Sequence, residues 1–220
     1  RGRQADGRFL TPDSFIPLAE QSGLMPQLTQ LIIETVFEDL GLWLQHHPDQ
    51  HVSINLDPGD LLSKTLPDLL SALLARWRLS ASQIALEITE RGFADPKVSS
   101  PAIAELRRAG HAIYIDDFGT GYSSLSYLQH LEVDILKIDK SFVDALEYKN
   151  VTPHIIEMAK ALGLAMVAEG VETKGQLEWL RDHGVQFAQG WFYSKALPKD
   201  AFMAWAEANL RPDKVTPDAS

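Results

Sequence analysis

The sequence predicts an α/β fold, a TIM-like (β/α) barrel truncated at its N-terminus, with about six of the eight strands present. Three observations lead there. Short apolar strand candidates alternate with helical stretches from about residue 28 to residue 208. Three helix-to-strand joints share one pattern, a glycine just past the helix. Each strand candidate also ends in a polar or charged residue.

The helical stretches show 3.6-type spacing, as in Leu28, Leu31, Ile32, Val36 and Leu40. The strand candidates are His51–Asp57, Gln83–Thr89, Ala112–Asp117, Ile135–Asp139, Leu164–Glu169 and Val185–Gln189. The joints carry Gly110, Gly163 and Gly184, placed where a left-handed residue stops a helix without a Cβ penalty. Strand–helix alternation with such short joints argues for right-handed β/α units and a parallel sheet. No linker-like stretch interrupts it, so residues 1–210 are read as one domain and 211–220, polar and Pro-containing, as a disordered tail. The first ten residues are read as a loop leading to a turn at Thr11 to Asp13. The chain opens Arg-Gly-Arg-Gln, without an initiator Met, so it is expected to be a piece of something longer, with two strands upstream of Arg1.

The strand ends carry Asn55, Glu87, Asp116 with Asp117, Lys137, Glu169 and Gln189. Parity places Val52, Ile54 and Leu56 on one face and Ser53, Asn55 and Asp57 on the other; Ile84, Leu86 and Ile88 likewise oppose Ala85, Glu87 and Thr89. The apolar face would meet helices and the mixed face would point into a lumen. Barrel sites are built at the carboxyl ends of several strands, whereas an open doubly wound sheet would use only those beside a crevice.

Bulk properties narrow the chemistry. Apolar residues make up 45% and charged residues 23%, the mix of an ordinary globular chain. No run reaches the ~18–20 apolar residues that span a bilayer. With no cysteine, disulfides and thiolate metal sites are excluded, and a reducing compartment fits. The formal net charge of -10 argues against nucleic-acid polymers and anionic membranes as partners. Carboxylates clustered at strand ends repel one another unless cations intervene, and hard oxygen donors suit Mg²⁺ or Mn²⁺. A two-metal site of that kind performs phosphodiester hydrolysis, with Lys137 free to orient water or offset phosphate charge. Taken singly, each residue also has a structural reading: Asn55 and Glu169 as strand-end or loop residues, Glu87 as an interior glutamate that needs a partner, Lys137 as a lumen lysine paired to one acid, Asp116 and Asp117 as a turn cap, while Gln189-Gly190 alone is a weak signal. Their recurrence at equivalent strand ends favours a site.

The motif strings resemble EAL domains, which are cyclic di-GMP phosphodiesterases. They are Phe15 to Glu20, Ser53 to Leu56, Leu86 to Glu90, Asp116 to Leu125, Leu136 to Asp139, Ala168 to Glu172 and Gln189-Gly190. The resemblance implies hydrolysis of cyclic di-GMP to the linear dinucleotide pGpG with two Mg²⁺ or Mn²⁺ ions. It implies Asn55, Glu87 and Asp116 as ligands of one metal, and Asp116, Asp117 and Glu169 as ligands of the second. Lys137 would contact the attacking water, Glu169 would be its base, Arg1 would contact substrate phosphate and Gln189 would lie near the second metal. Glu90 and Glu172 would order the site, and the loop from Phe118 to Ser124 would couple dimer contacts to it.

It further implies a homodimer on the cytoplasmic side, fused to a sensory region in a parent that is sometimes anchored in the inner membrane. The Glu-Ala-Leu segment that names the family is expected just before Arg1. Gly2 stands where tryptophan is common and Ala196 where proline is common. A non-catalytic cyclic di-GMP receptor or interaction module stays open as the alternative, and a different metal-dependent barrel hydrolase as a third.

Overall fold

The computed structural model describes residues 2–3, 9–93, 96–119, 132–146 and 151–210. A two-stranded antiparallel ladder, β1 (Gly2–Arg3) with β2 (Phe9–Leu10), precedes helices α1 (Pro12–Gln21) and α2 (Met25–His46). Six strands follow: β3 (Val52–Leu56), β4 (Ile84–Thr89), β5 (Ile113–Phe118), β6 (Ile135–Ile138), β7 (Ala165–Ala168) and β8 (Phe187–Ala188). They form one sheet in sequence order, each parallel to its neighbour. Helices α3 (Leu66–Trp77), α4 (Pro96–Arg108), α5 (Lys140–Asp144), α6 (Thr152–Ala161) and α7 (Lys174–Asp182) lie between strands, and α8 (Lys199–Asn209) follows the last. The result is an α/β half-barrel with β3 and β8 as its edges among the described residues.

Period-two burial builds it. Ile54, Leu56, Leu86, Ile88, Ile113, Ile115, Leu136, Ile138, Met166 and Ala168 share one face of the sheet. They pack in a single core with Ile33 and Phe37 of α2, Leu70 of α3, Ile103 and Leu106 of α4, Ile156 of α6 and Leu180 of α7. Burying each such side chain stabilises the fold by about 1.5–3 kcal/mol. Gly110, Gly163 and Gly184 have φ of 103, 71 and 85°, the left-handed stops expected at those joints.

Three expectations shift. Residues 2–3 and 9–10 pair as strands rather than forming only a loop, because two-residue ladders leave no period to read. Thr11 to Asp13 starts a helix instead of a free turn; Thr11 is its N-cap and Pro12 supplies the fixed φ favoured at the first helical position. Five of the six strands are also shorter than expected, most of all the last, where Val185–Gln189 contracts to Phe187–Ala188, while Ala112–Asp117 shifts by one residue to Ile113–Phe118. The tail from residue 211 lies outside the described residues. No helix among the described residues is long and apolar enough to cross a membrane.

Candidate active site

The mixed face of the sheet converges on Lys137. Its side chain leaves β6 and is only 5% exposed, with Nζ 2.7 Å from Glu87 of β4, 2.8 Å from Asp116 of β5 and 2.5 Å from Glu169 just past β7. The parallel register gives these side chains a common face: Asn55 of β3 is the partner of Glu87, whose partner on β5 is Tyr114, two residues before Asp116, and Lys137 pairs with Val167, two residues before Glu169. Asn55 is exposed on the edge strand.

Asp117 breaks the period. In a regular strand Asp116 and Asp117 would point to opposite faces. Between Ile115 and Phe118, however, the β5–β6 register shifts, and Asp117 takes φ 54°. An extra residue at a strand end re-aims a side chain, and aspartate tolerates the left-handed conformation better than most. Carboxylate oxygens of Asp116, Asp117 and Glu169 thereby come within 4.8 Å of one another.

The loops around this group are tied down. Glu169 donates its N–H to the Ile138 carbonyl at 3.0 Å, and its Oε1 accepts from Gln189 Nε2 at 2.6 Å. Glu90, buried at the end of β4, accepts from the N–H of Gly119 at 3.3 Å, just past the two aspartates. Glu172 receives Lys140 Nζ at 2.8 Å, while its N–H donates to Gln176 Oε1 at 2.9 Å. Lys140 was not among the residues the sequence pointed to. Its one signal is a cation at the first position of a short helix, where the helix end disfavours positive charge. Arg1 and residues 120–124 of the loop after Phe118 lie outside the described residues.

The electrostatics are those of a site short of cations. Burial pushes the Glu169 carboxyl up, and Lys137 pulls only part of it back. Partial desolvation and the neighbouring Asp116 and Asp139 carboxylates raise Asp117 as well. Burial alone would depress the Lys137 ammonium, but Glu87, Glu169 and Asp116 hold it well above the ordinary lysine range. Three carboxylates pair with this lysine and Asp117 stands beside two of them, so the group carries excess negative charge. Clustered hard oxygens with unbalanced charge fit divalent Mg²⁺ or Mn²⁺, and Asp116, Asp117 and Glu169 could hold such an ion together.

Fold and site together define part of a (β/α) barrel whose polar centre sits at the carboxyl ends of its strands. The chain belongs to the EAL domain family, whose model matches residues 1–196. It is 66% identical over 210 residues, 96% of its length, to the probable cyclic di-GMP phosphodiesterase PdeB of Escherichia coli K12, and covers 41% of that protein. It is 36% identical over 208 residues, 92% of its length, to the probable cyclic di-GMP phosphodiesterase PdeN of the same organism, covering 40% of it. The chain thus spans about two fifths of these curated relatives. Among solved structures, the PaMucR phosphodiesterase in its c-di-GMP complex superposes with a TM-score of 0.85 at 34% identity, covering 92% of this chain and 84% of that one.

Proposed function

We propose that this chain is the greater part of the catalytic domain of a metal-dependent phosphodiesterase that hydrolyses cyclic di-GMP to linear pGpG in bacterial second-messenger signalling. The observation that carries the reading is the convergence of Asp116, Asp117 and Glu169 beside a lysine held by Glu87, Asp116 and Glu169. The relatives' names supply the substrate. Asn55, Glu87 and Asp116 would hold one Mg²⁺ or Mn²⁺, and Asp116, Asp117 and Glu169 the second. When bound, such ions stabilise charge on the attacking and leaving oxygens of an in-line displacement.

The chain's own groups do the rest. Glu169, raised by burial, is suited to take the proton of the attacking water, and Gln189 fixes its orientation. Lys137, held by Glu87, Asp116 and Glu169, would contact the attacking water and offset phosphate charge. Glu90 holds the turn after Asp117 through the Gly119 N–H, and Glu172 orders the turn after Glu169. Arg1 and Gln189 are assigned to the substrate. The segment is read as cytoplasmic, working as a homodimer and governed by a sensory region of the same protein, with no membrane contact of its own.

The test is Mg²⁺- and Mn²⁺-dependent hydrolysis of cyclic di-GMP by the full-length protein. Linear product that disappears on adding chelator is the expected result. Tight binding without product would establish the receptor alternative instead.

A further inference from the structure

We infer that Lys140 is a positioning residue for the Glu169 carboxylate, acting through the turn from Gly170 to Glu172; this rests on the phosphodiesterase reading. Glu169 is the last residue before the chain leaves the sheet, and its backbone is anchored on one side by the Ile138 carbonyl. The next residue, Gly170, has φ 65°, and a Cβ there would lie closer than 3.0 Å to Cβ, Cγ and Cδ of Lys140. On the other side, a Cβ on Gly190 would lie equally close to the backbone of Val171 and Gly170. The peptide between Gly170 and Val171 is therefore clamped between the aliphatic stem of Lys140 and the backbone of Gly190.

The clamp is closed at both ends. Val171 donates its N–H to Gln189 O at 3.0 Å and accepts from Phe192 N–H at 2.9 Å. Beyond it, the Lys140 ammonium grips Glu172 Oε1 at 2.8 Å and is itself steadied by Asp144 Oδ1 at 3.0 Å. Lys140 makes no ion pair with Glu169, whose side chain is 16% exposed and faces Lys137 and Gln189. Its influence on the carboxylate passes through the turn. An ion pair this exposed stabilises little on its own, so removing Lys140 affects where Glu169 points more than whether the chain folds.

The experiment compares wild type, Lys140→Ala and Lys140→Arg in the full-length protein. It reads Mn²⁺ affinity of the metal-free protein by calorimetry, kcat and KM for cyclic di-GMP, and Tm. Lys140→Ala is expected to lower Mn²⁺ affinity and kcat by ~10–100-fold, the range for residues that orient a metal ligand from behind. KM and metal-free Tm stay near wild type, and Lys140→Arg, which restores both stem and cation, recovers most of the loss. Wild-type Mn²⁺ affinity in Lys140→Ala, a loss that Lys140→Arg does not repair, or a Tm that falls in step with affinity would each overturn the assignment. A wild type that binds Mn²⁺ but leaves cyclic di-GMP intact refutes the phosphodiesterase reading alone. Wild-type turnover with an indifferent Lys140→Ala refutes the positioning role alone.

Discussion

The two ends of the parallel sheet each carry buried polar side chains, Gln83 and His111 at one and Glu87, Asp116 and Lys137 at the other, and use them in opposite ways. At the amino end each polar group completes a backbone. Gln83 Nε2 reaches Leu44 O at 2.8 Å, with His47 O and Gln50 O within 3.3 Å, closing the carboxyl end of α2. His111 donates Nδ1–H to Ile84 O at 2.8 Å, and Gln186 accepts from Met166 N–H at 2.8 Å. Asp134 accepts from Ile113 N–H at 2.9 Å and from Arg107 at 2.6 Å. At the carboxyl end Glu87, Asp116 and Glu169 share Lys137, with Asp117 beside them. Saturated groups rigidify a fold; a charged group left in excess is what binds and reacts. In barrels the first belongs to the stability face and the second to the catalytic face.

Five changes would sharpen or break this contrast. The largest effect belongs to Glu169→Gln, which keeps shape but cannot take a proton. It should lower kcat by ~10²–10⁴-fold while calorimetry shows cyclic di-GMP still bound; comparable turnover would remove Glu169 as the base. Next, Lys137→Met strands Glu87, Asp116 and Glu169 without their cation. Urea unfolding of the metal-free protein should lose about 3–5 kcal/mol, with much of it restored by Mn²⁺.

At the other end, Gln83→Ala should lose about 1–3 kcal/mol from stranded carbonyls. Mn²⁺ should not restore that loss, and kcat should hold. Any rescue by Mn²⁺ would mean the two ends are coupled. Asp117→Gly relieves a left-handed residue and one charge of the crowd, so metal-free stability should rise by about 1 kcal/mol as Mn²⁺ binding weakens.

The smallest effect is one of pH. Burial holds the His111 imidazole below its ordinary 6.5, against the pull of the Ile84 and Ala81 carbonyls. The folded pKa is depressed, so the unfolded chain binds the extra proton first. The stability His111 contributes is complete above about pH 6.5 and is lost as pH falls through the folded value. Unfolding curves below pH 6.5 should therefore be steeper in pH for wild type than for His111→Asn.

Much of this was legible in the chain itself. Alternation and the three glycine stops predict the order of β3 to β8 and their parallel sense, because both follow from local conformation. Two-residue parity also places Asn55 and Glu87 on the lumen side, since a strand has only two faces. The convergence of Asp116 with Asp117 was not legible as geometry, because parity alone sends neighbours to opposite faces. It depends on the register shift between β5 and β6 and on a positive φ that strand pairing sustains. Lys140 was invisible for the same reason: the residues it clamps lie about thirty positions away in sequence, brought beside it by the β6–β7 pairing. Local periodicity thus determined which residues face the site. Only the tertiary structure, through inter-strand register, decided which atoms meet there.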